Sequence, residues 1–255
     1  MLKISEQPNK LMVQNTPNNL DGLLAPDIPE PLPQFSGFNM LIAGSSGSGK
    51  TTLLYSILTK KKKNGIRQSY LKLFHKIYII SPTMGNASMK KDPFAKLPEN
   101  QKWKALTIDA LESLRDELES NREDDKHSLV ILDDVGSTLK KTASVEKTLI
   151  SLMQNRRHQF ASYITLVQRL RDVPTGIRNN LSHFISFRPR NRPELDAICQ
   201  ELIPFDRKKC EQLFAHIFDN LTAKFPFIFI DMSLKKSNKF LYYAGFNKLE
   251  IEEDA

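Results

Sequence analysis

The sequence predicts an α/β fold with a mainly parallel central sheet flanked by helices. Three observations carry that expectation. Short apolar runs alternate along the chain with helical patterns, and strands separated by helices pair in parallel, with both sheet faces covered. A glycine-rich turn joins the first apolar run to the first helix. The 255 residues are 40% hydrophobic and 26% charged, a composition that can bury a core and excludes a disordered chain.

Six of the fourteen prolines fall within the first 33 residues, with Asn and Gln between them. Residues 1–35 are therefore expected to form an extended or disordered arm, ahead of a single domain over 36–246. The run 39–43 predicts the first strand, 51–63 the first helix and 76–80 the second strand. Three prolines and little periodicity make 82–104 a long loop. Asp109 followed three residues later by Glu112 reads as a capping box opening an amphipathic helix that runs to about Asp124. Next come a strand at 128–132, a helix near 144–158, a strand at 160–167, a short helix near 174–181 and a strand at 183–187. Two last strands, 225–232 and 239–244, flank a Lys/Ser/Asn turn and predict a C-terminal β-hairpin. Phe225, Phe227 and Phe229 alternate there as in a half-buried strand, and 247–255 reads as an acidic tail.

No stretch approaches the roughly 18 to 20 apolar residues that a membrane-spanning helix needs. No secretory leader is expected either, since no basic start precedes an apolar run. Cys199 and Cys210 are too few for a disulfide framework or a zinc site, and are read as core thiols in a reducing interior. The formal net charge is +8, but residues 1–36 carry −2 and 247–255 carry −3, which leaves +13 on 37–246. A body this basic points towards a polyanionic partner, nucleic acid first.

Gly44-Ser45-Ser46-Gly47-Ser48-Gly49-Lys50-Thr51 matches the P-loop pattern at every fixed position, between an expected strand and an expected helix. Glycines let such a loop aim its N–H groups at phosphate oxygens, and the helix N-terminus adds partial positive charge. Lys50 is expected to reach the β- and γ-phosphates of ATP, the Thr51 hydroxyl to ligate Mg²⁺, and Thr52 to complete the nucleotide-binding set. The apolar run from Ser128 ends in Asp133 and Asp134, at the sheet end where open α/β folds bind ligands. Asp133 is assigned to the metal shell, and Asp134 to orienting or deprotonating an attacking water. Gln168 ends the next apolar strand and is a candidate contact to the γ-phosphate. Arg156, Arg157 and Arg178 are candidates for an arginine presented to a neighbouring subunit's nucleotide, with helix-end compensation the alternative for Arg156 and Arg157.

The strand–P-loop–helix unit, the acidic pair, Arg156-Arg157-His158 before Gln168, and Ile177-Arg178-Asn179 beyond it resemble the FtsK–HerA superfamily of DNA-pumping ATPases. Within it they resemble the genome-packaging ATPases of poxvirus type, over about residues 36–232. The resemblance implies a RecA-like core with an extra strand between the P-loop strand and the acidic-pair strand. It further implies an ATP- and Mg²⁺-dependent, homo-oligomeric ring, commonly hexameric, that threads double-stranded DNA into a capsid. The setting it implies is the cytoplasm of an infected cell, with a capsid or membrane-associated packaging partner. One departure is that Asp134 stands where the wider division usually has glutamate. No carboxylate cluster of nuclease type follows the core.

Lys60–Lys63 is read as a solvated helix end, whereas Arg188, Arg190 and Arg192 are spaced to meet phosphates, and Lys235, Lys236 and Lys239 flank the hairpin turn. Three functions fit these residues: a DNA-translocating ATPase, a P-loop small-molecule kinase, and a non-catalytic ATP-binding assembly switch. The kinase lacks an evident arginine-rich lid, and the acid following Asp133 favours water as the acceptor.

Overall fold

A computed structural model describes residue 28 and residues 30–59, 70–82, 94–219, 225–233 and 239–251. The α/β expectation holds: among the described residues, nine strands form one sheet in the order β3-β2-β4-β5-β1-β6-β7-β8-β9. The parallel strands are β1 (Asn39–Ala43), β2 (Lys76–Ile80), β3 (Lys102–Trp103), β4 (Ser128–Asp133), β5 (Ala161–Val167) and β6 (His183–Phe187). An antiparallel extension follows, made of β7 (Phe227–Asp231), β8 (Leu241–Ala244) and β9 (Asn247–Lys248). The hairpin is present as β7 and β8, but β7 also pairs with β6, so it is an interior strand. Every residue of β7 is consequently buried, and only Phe225, ahead of the strand, is exposed. The half-buried alternation expected for Phe225, Phe227 and Phe229 therefore gives way to a strand covered on both faces.

Alternate residues of each parallel strand feed two cores, as a period of two requires. Met40, Ile42, Ile164 and Leu166 meet α1 (Lys50–Thr59) through Leu53, Leu54, Ile57 and Leu58. Leu41, Val130, Leu132 and Tyr163 face the other way. There they join α2 (Ile108–Glu123) and α4 (Ala143–Gln154), which follows the short α3 (Gly136–Lys141). Beyond the four-residue α5 (Thr175–Arg178), α6 (Arg192–Leu202) and α7 (Arg207–Asp219) complete that second layer.

Several local details differ from the sequence expectation. The cap of α2 is Thr107, whose Oγ1 accepts from the Ala110 amide at 3.1 Å, so the helix starts before the expected box at Asp109. β3 forms within the stretch expected to be loop, pairing with the end of β2. Helices α6 and α7 fill a stretch where no element was expected. Asn191 caps α6 by accepting from the Glu194 amide, and Pro193 lies in its first turn, where a missing N–H costs nothing. Cys199 and Cys210 are disulfide-bonded, with Cα atoms 6.0 Å apart, which corrects the reading of two core thiols. The turn between α6 and α7 brings their buried faces together, and one cysteine sits on each. Ile28 is buried and the Tyr70 hydroxyl donates to Pro33 O at 2.8 Å, so the last residues before β1 lie against the core. Lys60–Lys63, Lys235 and Lys236 lie outside the described residues.

Candidate active site

The site is assembled at the carboxyl ends of β1, β4 and β5, and β5 is the strand that registers it. Leu166 O accepts from the Asp134 amide at 3.2 Å, and the next carbonyl, Val167 O, accepts from the Gly44 amide at 3.1 Å. Two successive peptide units of one strand thus hold the acidic pair on one side and the start of the P-loop on the other. Gln168 is the next residue, and it lines a cleft of about 240 Å³ with Gly44 and Ser45.

Within the loop, Gly47 and Gly49 adopt φ of +78° and +104°, values that side chains strain to reach. Gly44 is required for a different reason: a Cβ there would stand 2.6 Å from Ser48 Oγ and 2.9 Å from Phe187 Cβ. Lys50 Nζ donates to Gly44 O at 2.6 Å and Ser45 O at 3.0 Å, folding back over the loop it serves. Partial burial lowers the Lys50 pKa, while the charges of Asp133 and Asp134 oppose that shift. Both acids are therefore near enough to act on the ammonium.

Asp133 is half-buried and accepts from Ser81 Oγ at 3.4 Å, which brings the end of β2 into the site. Asp134 is exposed, with φ of +53°. Aspartate is among the few residues that tolerate this left-handed region, and strain of this kind gathers at functional positions. The loop after β5 packs on the acidic loop, for a Cβ at Gly136 would lie 3.0 Å from Asp172 Cβ. Arg169 pairs with Asp172 at 3.1 Å, and buried Glu194 accepts from the Leu170 amide at 2.6 Å. Burial raises the Glu194 carboxyl above its ordinary range, against the lowering effect of that amide.

Arg169 and Glu194 line the cleft with Gln168, although no motif flagged either. The available signals were the polar pair closing an apolar strand and the Asn191 cap that sets Glu194 in the first turn of α6. Arg188 and Arg190 also line the cleft, so part of the basic segment faces the nucleotide side. Arg188 is ion-paired with Asp219 and donates to Phe218 O at 2.7 Å, and Arg192 is paired with Glu211.

The remaining candidates are not brought to the P-loop within one chain. Arg156 and Arg157 lie at the amino ends of β1 and β5, lining a separate cavity with Gly37, His183 and Asp231. Arg156 donates to Gly37 O and Met153 O, both at 2.8 Å. Arg178, just before β6, pairs with Glu201 at 2.6 Å and donates to Val173 O.

The profile of the Poxvirus A32 protein family matches residues 34–211, which span the P-loop, the acidic pair, Gln168 and all three arginines. The chain belongs to that family. Its relatives include DNA packaging protein OPG160 of variola virus and of vaccinia virus, each 31% identical over 151 residues. That alignment covers 59% of this chain and 53% of the relative, so the chain spans about half the length of the curated relatives it matches. Among solved structures, B204, the DNA-packaging ATPase of Sulfolobus turreted icosahedral virus, superposes with a TM-score of 0.58 at 16% identity. The match covers 82% of this chain and 97% of that one. B204 of Sulfolobus turreted icosahedral virus 2, solved in complex with ATP-gammaS, gives 0.53 at 17% identity, covering 81% and 97%. At these identities the likeness establishes the fold. This A32-family chain has the P-loop core with a parallel strand, β5, between the P-loop strand and the acidic-pair strand, as the resemblance implied.

The A32-family site also fits a nucleotide on its own chemistry. Ser48 Oγ, at the centre of the loop, is buried and has no hydrogen-bond partner among the described residues. A phosphate oxygen would satisfy it and would offset the burial of Lys50.

Proposed function

We propose that this chain is an ATP-hydrolysing motor that moves double-stranded DNA, most directly to package a viral genome. The observation that supports this best is the register of β5, which sets the P-loop, the acidic pair and Gln168 at one sheet end in a chain of the A32 family. Backbone amides of Gly44–Thr51 and the Lys50 ammonium bind the phosphates, with Thr52 beside them at the start of α1. Thr51 and Asp133 would hold Mg²⁺, which when bound would supply charge neutralisation for the phosphates. Asp134 orients an attacking water and accepts its proton, and Gln168 contacts the γ-phosphate. Asp134 is one methylene shorter than glutamate, and its left-handed backbone resets where the carboxylate is launched.

An arginine at the amino end of a neighbouring subunit (Arg156, Arg157 or Arg178) completes the centre within a homo-oligomeric ring, with a hexamer favoured. Charge on the transferring phosphate is then stabilised only when two subunits meet. The partners are duplex DNA and a capsid or membrane-associated packaging component, and the setting is the cytoplasm of an infected cell. Phosphate contacts give sequence-independent affinity that falls with salt.

The test is the ATPase rate of size-fractionated protein with and without long duplex DNA, at two salt concentrations. Stimulation by DNA that fades at high salt and is absent in Lys50→Ala is the expected result. A protein whose turnover is indifferent to DNA would overturn the motor.

A further inference from the structure

Phe225, Phe246 and Ile251 are the large hydrophobic side chains exposed among the described residues, at 52%, 44% and 42%. Single exposed hydrophobics need no explanation, but two of these belong to one aromatic surface that begins at the P-loop. A Cβ at Gly49 would stand 3.7 Å from both Phe187 Cε1 and Phe225 Cγ. Phe187 lies 5.8 Å from Phe227, and Phe227 meets Phe246 edge to face at 5.2 Å. The topology explains the convergence. Phe187 ends β6, Phe227 opens its antiparallel partner β7, and Phe246 follows β8 in the turn before β9. Gly245, at φ of +61°, makes that turn.

We infer that Phe225 and Phe246 form the platform on which the purine base of the bound nucleotide stacks. The inference rests on the nucleotide-binding reading of the P-loop and adds the subsite that reading lacks. With phosphates anchored on Gly44–Thr51, the rest of the nucleotide must leave across a neighbouring surface. Towards β4 and β5 that surface is Asp133, Asp134 and Gln168, groups assigned to metal, water and phosphate. Towards β6, β7 and β8 it is a row of phenylalanines in which Phe187 and Phe227 are buried and Phe225 and Phe246 are open to solvent, and exposed rings suit a flat base with two apolar faces. Stacking engages the π-face and not the hydrogen-bonding edge, so the platform accepts adenine and guanine alike.

The experiment compares ATP with inorganic tripolyphosphate, which has the phosphates and no base, by calorimetric titration of the full chain. Phe225→Ala should weaken ATP binding by about 5- to 150-fold, the range for losing one stacking ring, and leave tripolyphosphate unchanged. Phe246→Ala should shift the same ratio in the same direction. Phe225→Trp should keep ATP affinity and show an indole fluorescence change with ATP but not with tripolyphosphate. The background is a single tryptophan, Trp103, on edge strand β3 at the other side of the sheet. Equal losses for both ligands, or no loss for either, would overturn the platform. A variant that only stops self-associating, its ATP-to-tripolyphosphate ratio intact, would reassign the patch to a contact between copies and also overturn it. If the parent protein binds neither ligand, the P-loop reading itself fails, which is a separate result.

Discussion

The two ends of the parallel sheet treat their charged and polar side chains differently. At the carboxyl end, Gly47, Gly49 and Asp134 hold positive φ, Ser48 Oγ is buried without a partner among the described residues, and Asp134 and Gln168 are open to solvent. At the amino end, side chains are spent on the chain itself. Arg156 caps two backbone carbonyls, and Ser182 Oγ bonds both the amide and the carbonyl of Asn39. His183 meets Asp231 at 3.4 Å, and Arg178 meets Glu201. Strain and unmet hydrogen bonds occur at both ends. On the amino side Gly37, Asp125 and Phe160 hold positive φ, and Ser36 Oγ, Asn39 Oδ1 and Gln159 Oε1 are buried with no partner among the described residues. What differs is the functional polar groups, which stay open to solvent at Asp134 and Gln168 but are closed on the chain's own groups at Arg156 and Arg178. The arginines proposed to act in catalysis sit at the closed end, so within one chain they are structural, and only a second subunit could make them catalytic.

That contrast can be broken by mixing subunits. Arg156→Ala, Arg157→Ala and Arg178→Ala should each be made beside Lys50→Ala. For whichever arginine acts across the interface, the loss of turnover should be about 10³-fold or more. An equimolar mixture with Lys50→Ala should then recover measurable ATPase, because some interfaces pair an intact P-loop with an intact arginine. Arg156→Ala should also lower unfolding stability by about 1–3 kcal/mol through the carbonyls it strands. If no mixture recovers activity, the arginines belong wholly to the closed end, and the trans assignment falls.

Asp134 sharpens the comparison from the open side. Asp134→Asn, which tolerates the same backbone, should bind ATP normally and lose turnover by about 10²- to 10³-fold. Asp134→Gly should lose as much turnover while unfolding at a higher midpoint, since glycine relieves the left-handed strain by about 1 kcal/mol. Stability rising as activity falls is the mark of strain kept for function. Turnover of Asp134→Asn at the parent rate would remove the water-orienting role.

Much of this division was legible in the residues. The P-loop pattern, the apolar run closing on Asp133 and Asp134, and the run closing on Gln168 each name a strand's carboxyl end, and period-two burial then fixes which residues are core. What escaped was whatever depends on who lies beside whom. Phe225, Phe227 and Phe229 carry an alternating pattern that suits a half-buried strand, and only the pairing of β7 with β6 makes that strand interior. The α6 start was written in Asn191, Pro193 and Glu194, but the arginines interleaved with them point equally to a phosphate contact. Cys199 and Cys210 are separated by 11 positions, a spacing that says nothing about bonding until two helices fold face to face. The opposite placement of Arg156 and Gln168, only 12 residues apart in sequence, follows from the direction of β5, which runs from one end of the sheet to the other.

The smallest expected effect tests an exception at the open end. Glu194 is buried beside the cleft and ties the loop after β5 to α6 through the Leu170 amide, so here the carboxyl end also invests in itself. Burial raises its pKa, which means that the folded protein binds this proton more readily than the unfolded chain does. The sign follows directly. As pH rises from the ordinary carboxylate range through the raised value, the folded state alone must give up a favoured proton, and stability falls. Glu194→Gln keeps an oxygen for the Leu170 amide and removes the titration. Unfolding midpoints of parent and variant, compared at about pH 5 and about pH 7.5, should therefore diverge in favour of the variant at the higher pH. A difference that stays constant with pH would mean that the amide bond, and not burial, dominates Glu194. The open end would then hold this acid in the same settled way that the amino end holds Arg156.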